Sequence, residues 1–444
     1  MIATVFLVVA GLGLALRGGQ RRIATVLGEA YLLGAGVASL VLLAFSMAGV
    51  PWSRGALLGA VAVVAAASLI GARRSITVPP PTRWNAVDLF TLALVAGYSR
   101  LALFSMPIEV DYIFMWGVKA KKFFHARGVD WSYLENPVNI GSHPDYPQLV
   151  PFVFDVHALL SGAWDDRWLG AVNVAFGVAA LLIVRDVLVE ELGQPWAVVT
   201  CAAIMPLVFS PYMGMAEAAL IAYSLTGLLY LRRGNTGRAA LFLGLGAFTK
   251  NEGLALIVAA GLALAAVRRW RELPKLALAF LIPLPWLILR AVHDMPTDLM
   301  ESGILQRFLA KIADPSPILE AMSRHPAGNI WFWGGTVVVL LLCHRRILGA
   351  ERFLTVTIAV QFAFLVAAYF VTPKDIEWHV RWSWERVIRQ LMPLVALLAV
   401  FAGRDFLPAR TSSSEADDAH GASEPASGRR STSPQAPEVA SQAE

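Results

Sequence analysis

The sequence predicts an all-α protein that crosses a membrane many times, and three observations carry that expectation. Hydrophobic residues make up 57% of the chain, charged residues only 16%, and the mean hydropathy is +0.59. An ordinary soluble domain carries more charge than that, whereas lipid as solvent favours this balance. Long apolar runs recur along the chain, separated by short arginine clusters such as Arg21-Arg22, Arg73-Arg74, Arg232-Arg233, Arg268-Arg269 and Arg345-Arg346. The remaining charge is concentrated in a few polar stretches, of which residues 105–151 are the longest in the first two-thirds of the chain. The net charge of +5 is modest. Its arginine clusters read as topology signals, because positive residues accumulate in cytoplasmic loops, and no nucleic-acid partner is expected. Cys201 and Cys343 both fall in apolar runs and have neither a disulfide framework nor metal-ligand spacing.

The N-terminal module, 1–83, opens with residues 2–16. They lack a basic start and an A-x-A-like cleavage site, so they read as a helix and not a signal peptide. Residues 23–50 and 56–70 follow, and 86–106 begins a second module, 84–403. Placing Arg17, Arg21, Arg22 and Arg73, Arg74, Arg83 in the cytoplasm puts the N-terminus and the loop 105–166 outside. Residues 148–163 are apolar but short and carry Asp155 and His157, so they read as an interfacial helix at the outer surface. Further runs at 167–184, 196–210, 216–231, 239–248, 253–267, 276–290, 331–343, 353–371 and 388–401 alternate in direction, with a second outer loop over 291–330. The total is about thirteen spans by the length expected of a transmembrane helix. The tail, 404–444, is rich in Ser, Ala, Pro and acidic residues and reads as a disordered cytoplasmic segment.

This orientation gathers four polar clusters on the outer side: 109–145, 212–217, 249–253 and 372–389. No repeat of constant period, P-loop, GxGxxG, CxxC or HExxH is present.

The stretch 111–121 (DYIFMWGVKAK), followed by 146–151 (YPQLVP), resembles the first outer loop of the GT-C glycosyltransferases. Within that superfamily it is most similar to the bacterial group related to protein O-mannosyltransferases and lipid A aminoarabinose transferases. Further stretches follow in the family's order: 214–217 (GMAE), 248–253 (FTKNEG), and 378–386 (WHVRWSWER) running into 390–393 (QLMP). The resemblance covers roughly residues 84–401 and implies a GT-C-like bundle whose long first outer loop bears juxtamembrane helices. It implies a bacterial cytoplasmic-membrane enzyme with its site facing outward. The implied reaction moves a sugar from a polyprenyl-phosphate carrier to a lipid, glycan or protein acceptor, with inversion.

That chemistry needs a base to take the acceptor proton as the bond forms. Asp111, at the family's acidic position, is the first candidate and Glu109 the second. A departing lipid phosphate needs fixed cations, for which Lys119, Lys250, His379 and Arg386 are candidates; Arg386 could grip two phosphate oxygens. Glu217 and Glu252 are placed to hold sugar hydroxyls or to orient the cations. Lys250 and Glu252 stand two apart and would not face each other on a helix. A divalent metal held by acidic residues with His143 or His379 stays open, because no spacing compels it.

Each reading has a plainer counterpart. Asp111 could be a helix N-cap and Glu217 a helix-dipole partner. Lys121 and Lys122 could anchor an interfacial helix, and Trp378, Trp382 and Trp384 could form an aromatic belt. Asp155 and His157 read as a satisfied local pair, and Glu29 and Asp186 as structural charges. A secondary transporter or a non-catalytic component of an envelope polysaccharide pathway is the alternative, the former favouring an inverted repeat that is not evident here.

Overall fold

The computed structural model describes residues 1–17, 21–73, 84–104, 109–209, 213–297 and 303–407, without the side chain of Trp168. The expected disordered tail beyond Leu407, the helix end at Met106, the loop start at 105–108, Arg74, Arg83 and Tyr212 lie outside these residues. Helix accounts for 82% of the structure, with no strand among the described residues.

Helices α1 (Ile2–Leu16), α2 (Ile23–Met47) and α3 (Arg54–Ala72) form the N-terminal group. α1 and α2 approach at glycine: a Cβ on Gly11 would stand 2.0 Å from the Ala30 carbonyl oxygen, and one on Gly34 1.7 Å from that of Leu7. Small residues permit this contact, which is how helices in lipid gain packing without a hydrophobic drive between them. Ser53 caps α3, its hydroxyl accepting the Ala56 N–H at 3.1 Å. α4 (Ala86–Phe104) leads to the short helices α5 (Gly117–Ala126) and α6 (Trp131–Glu135), then to α7 (Leu149–Ser161). The main bundle continues with α8 (Gly170–Leu192), α9 (Gln194–Val208), α10 (Glu217–Arg232), α11 (Thr236–Ala247), α12 (Asn251–Ala266), α13 (Leu273–Ala277) and α14 (Leu284–Val292). Two short helices, α15 (Ile304–Ala313) and α16 (Ser316–Arg324), precede α17 (Ile330–Leu342), α18 (His344–Leu348), α19 (Arg352–Val371), α20 (Ile376–Arg389) and α21 (Met392–Gly403).

Among the described residues, 6 spans are long and apolar enough to cross a membrane, or 7 if the pair 270–281 and 284–292, bent by 50°, counts as one. The chain is therefore a multi-pass membrane protein by its helices, but the count of about thirteen is not reached on length. Helices α1 and α9 have 15 residues, α12 has 16 and α17 has 13. At 1.5 Å per residue these measure roughly 20 to 24 Å, short of a hydrocarbon core of about 30 Å.

Three other expectations change. α7 does not lie at a surface: every residue from Leu149 to Leu160 is buried, and the helix packs against α1, α2 and α5. Asp155 and His157 are not a satisfied pair, since neither Asp155 oxygen nor His157 Nε2 has a hydrogen-bond partner among the described residues. Two residues apart on a helix, they point in different directions. α8 runs on to Leu192 instead of ending near Val184, because the charges expected to stop it are neutralised inside the bundle. Arg185 donates twice to Asp88 of α4, at 2.7 Å each, and Asp186 accepts from the Thr25 hydroxyl at 2.8 Å.

The bundle has two chemically different ends. One gathers Arg21, Arg238 and Tyr230 on Glu29, and Arg232 between Glu191 and Glu351. The other gathers α5 to α7, the end of α19 and the start of α20. There α15 is fixed to α19: Arg307 donates to the Val371 carbonyl at 2.8 Å, and Lys311 to those of Tyr369 and Thr372 at 3.1 and 2.7 Å. Cations on the last carbonyls of a helix answer both its unsatisfied acceptors and its dipole.

Candidate functional site

At this second end lies a cavity of about 1000 Å³. Its walls are the turn Tyr112–Trp116, the 3₁₀ segment Pro137–Ser142, the first turn of α12, the last turns of α19, and α20. Of the eight candidate residues, Glu109, Asp111, Lys250, Glu252, His379 and Arg386 line it; Glu217 and Lys119 do not.

Asp111 stands at the start of Tyr112–Trp116, which is wound as a π-helix and not an α-helix. Such wide turns recur where a helix must re-aim a side chain. Close packing accompanies it here: a Cβ on Gly117 would lie 2.4 Å from the Tyr112 ring. The Asp111 carboxylate makes no capping bond. Instead it accepts from Arg386 of α20, 275 positions away in the chain.

From Arg386 a chain of alternating charge runs inward. Arg386 Nη1 is 3.8 Å from Glu217 Oε1, the same oxygen that accepts from Lys250 Nζ at 3.1 Å, and Lys250 also reaches Glu252 Oε1 at 2.9 Å. The i, i+2 pair Lys250–Glu252 forms because Lys250 is not helical. It is the extended residue ahead of α12, at φ −158° and ψ 150°. Glu217 lies in the first turn of α10, so a favourable dipole contact accompanies its ion pair with Lys250. Three acceptor atoms of this group have no hydrogen-bond partner among the described residues: Glu217 Oε2, Glu252 Oε2 and Asn251 Oδ1. Buried acceptors without donors are costly, which marks a place where a ligand's hydroxyls would be favourable.

Glu109 lies beside this network. Burial raises its pKa above the usual carboxylate range, Arg386 opposes the rise, and Asp111 and Glu217 reinforce it. His379 borders the cavity and packs on Tyr369, ring centres 4.9 Å apart.

Lys119 departs from its expected place. It lies on the buried face of α5, fully enclosed, donating to the His143 carbonyl at 2.9 Å with its ammonium 4.9 Å from the Trp116 ring centre. Burial lowers its pKa to about 7, against the opposing charges of Asp145 and Asp111. The enclosed amine holds the backbone behind the cavity wall and does not itself line the cavity. Lys121 and Lys122 of α5 are exposed.

The segments after α5 and after α14 also meet here. Trp131 stacks on His293 with centroids 4.1 Å apart and planes 1° from parallel, and His293 bonds Glu135 at 2.6 Å. Asp145 accepts from Thr297 at 3.2 Å and lies 3.9 Å from Arg290. Burial raises the Asp145 pKa, while Arg290, His143, Lys119 and the Thr297 bond counter it.

The tryptophans of α20 divide. Trp378 and Trp382 are exposed by 51% and 53% and line the cavity, whereas Trp384 is buried against Phe362 and Tyr369. Sequence reasoning did not single out Asn251, Lys374 or Arg381, which border the same space. The helical period of α20, placing Trp378, Arg381, Trp382 and Glu385 on one face, was the available signal.

No group of three or more His, Cys, Asp or Glu forms a metal-binding cluster among the described residues. The carboxylates Asp111, Glu217 and Glu252 are each engaged with Arg386 or Lys250 through one oxygen. The cavity also has an apolar strip, including Ile113, Phe114, Phe364 and Leu365. Together these walls offer a proton acceptor, fixed cations, spare acceptor oxygens and a surface for hydrocarbon. Compared with family models, curated proteins and solved structures, the chain matches none of them.

Proposed function

We propose that the chain is a GT-C-like glycosyltransferase that moves a sugar from a polyprenyl-phosphate donor to an acceptor hydroxyl. The observation that carries this reading is the charge chain Asp111, Arg386, Glu217, Lys250, Glu252, of which all but the buried Glu217 line a cavity that also has an apolar strip. A lipid-linked, charged, hydroxyl-rich substrate needs those surfaces together.

In the proposed step the acceptor oxygen attacks the anomeric carbon from the face opposite the phosphate. Asp111 takes the acceptor's proton as the new carbon–oxygen bond forms. The bond to the phosphate oxygen breaks, its electron pair leaves with the lipid phosphate, and the configuration inverts. Arg386, bonded to Asp111, holds that carboxylate in place and supplies positive charge beside the departing oxygen. Glu109 is the second candidate base. Glu252 and Asn251 accept from sugar hydroxyls, and His379 closes the α19 side.

This reading places the arginine-rich end in the cytoplasm and the cavity outside a bacterial cytoplasmic membrane, following the positive-inside rule. It takes the shorter apolar helices as crossings too, for about thirteen in all, with tilt and local thinning absorbing the mismatch.

The test offers radiolabelled polyprenyl-phosphate sugars and a membrane lipid extract to purified protein in detergent, wild type beside Asp111→Asn. Product from wild type only supports the reading and the base together. Product from both moves the base to Glu109. No product and no carrier binding from wild type rejects the enzyme and returns the chain to the transporter or scaffold classes.

A further inference from the structure

α12 has the cavity at its first turn and, at its other end, a recess of about 620 Å³ shared with the start of α19. The recess is lined by two cations, Arg268 and Arg352, by the ring of Trp270, and by no acidic residue among those described. The acids nearest in sequence are held elsewhere. Glu272 accepts from Arg269 through both oxygens, at 2.6 and 2.7 Å, and Glu351 from Arg232 through both, at 2.9 and 2.8 Å. On neighbouring elements Glu191 pairs with Arg232, Glu190 with Arg233 and Asp405 with Arg346. Neither Arg268 nor Arg352 has a carboxylate within ion-pair distance among the described residues.

Local structure sets both side chains at the recess. α12 closes in a Schellman turn: the Arg269 N–H donates to the Leu264 carbonyl at 2.8 Å and the Arg268 N–H to that of Ala265 at 3.0 Å, with Arg268 at φ 61°. Glycine is the ordinary occupant of that left-handed position, which a side chain occupies at a cost. The turn also lets Arg269 donate to the Leu231 carbonyl at 2.7 Å and lie over Phe353, its guanidinium carbon 5.5 Å from the ring centre. That joins the end of α12 to the start of α19. Arg352 is the first residue of α19, where the helix dipole opposes a positive charge.

The surroundings suit a lipid. Val258 and Leu262 are exposed and precede Ala266, a lining residue, by eight and four positions, so one face of α12 runs away from the recess as an apolar strip. Trp270 is exposed where the strip meets the arginines, as an aromatic at a membrane boundary is.

We propose that this recess binds the phosphate of an anionic membrane lipid between Arg268 and Arg352, with the glycerol backbone against Trp270 and an acyl chain along Val258 and Leu262. Guanidinium forks match phosphate oxygens, and basic pockets between membrane helices take such headgroups. A free phosphate would use the two cations but neither the ring nor the strip. The site is separate from the cavity and stands whether or not the chain transfers a sugar.

The experiment measures equilibrium binding of radiolabelled phosphatidylglycerol to the full chain in detergent, with phosphatidylcholine of the same acyl chains and inorganic phosphate as competitors. Wild type is expected to bind saturably, with little displacement by either competitor at equal concentration. Arg268→Gln/Arg352→Gln is expected to bind about ten-fold or more weakly, the scale of lost charge-assisted hydrogen bonds. Arg271→Gln/Lys275→Gln removes two exposed cations that do not line the recess and is expected to bind as wild type. Where the arginine variant does not fold, Ala266→Trp takes its place, filling the recess with both arginines present, and is expected to weaken binding. Unchanged binding in the variant that serves overturns the proposal. So does an equal loss in Arg271→Gln/Lys275→Gln, which would make this end a general basic surface. Equal displacement by phosphatidylcholine, the mark of unselective lipid contact, or by inorganic phosphate, the mark of a free-anion site, overturns it too.

Discussion

The two ends of the bundle use the same residue types to opposite effect. At the arginine-rich end, Glu29, Asp88, Asp186 and Glu351 each have both carboxylate oxygens engaged, and Glu191, with one oxygen left over, borders no cavity described above. At the cavity end, Glu217 and Glu252 each keep one oxygen without a partner. Charge clustering is therefore no guide to a site in this molecule; hydrogen-bonding capacity left over beside open volume is. A fully engaged network resists water and holds helices together, whereas a half-engaged one is costly to fold and is completed by a ligand.

The sharpest way to break this contrast is to disable one carboxylate at each end. Asp111→Asn should cut transfer by about 10² to 10⁴-fold, the usual worth of a positioned base, while thermal unfolding in detergent stays near wild type. Asp88→Asn should do the converse. It removes the closer of the two carboxylates that pair with Arg185, leaving Asp186 at 3.3 Å, a loss of at most about 3–5 kcal/mol, the scale of a broken buried pair, while activity per folded molecule is retained. Asp88→Asn protein that is stable but inactive would end the distinction.

A smaller effect separates Lys119 from the cations of the cavity. Its pKa is about 7 in the folded chain against an ordinary 10.5, so between those values the unfolded chain binds a proton that the folded one lacks. Stability then rises with pH across that window and is penalised in full below it. The unfolding temperature of wild type should climb between pH 7 and pH 9.5, and Lys119→Met should flatten the climb; parallel curves would count against a buried, supporting role. The smallest change concerns Asp155, fully buried with neither oxygen bonded. Asp155→Leu should raise the unfolding temperature by removing an uncompensated burial of about 1–3 kcal/mol. A fall would reveal a partner for the carboxyl.

Much of this was legible beforehand, and the exceptions have physical causes. Apolar runs and arginine clusters locate the helices, and alternation along the chain brings residues as distant as Asp111 and Arg386 to one end, where they bond. In the sequence the Lys250–Glu252 pair is only a candidate, because residues two apart on a helix do not face each other. The pairing depends on α12 starting at Asn251, and a helix start is what a single sequence locates worst. Lys119 shares its stretch with the candidate base, but a motif does not say which side of a wall a residue occupies. α7 carries two ionisable residues, which suggested an exposed helix, yet it is enclosed on all sides. Composition reports the average surroundings of a segment, and the cost of one unpartnered carboxyl is small enough for the rest of the helix to outweigh it.

The π-helical turn at Tyr112–Trp116 has one more consequence. It holds one residue more than α-helical spacing needs, so losing any one of the five would let the turn relax to an α-helix and shift Asp111 relative to α20. The contact between Asp111 and Arg386 would be disturbed although every charged side chain of the cavity stayed the same. The geometry of this corner is written in how many residues there are as much as in which ones, and it can be gained or lost through a single inserted or deleted codon. Substitution scans do not sample that kind of change.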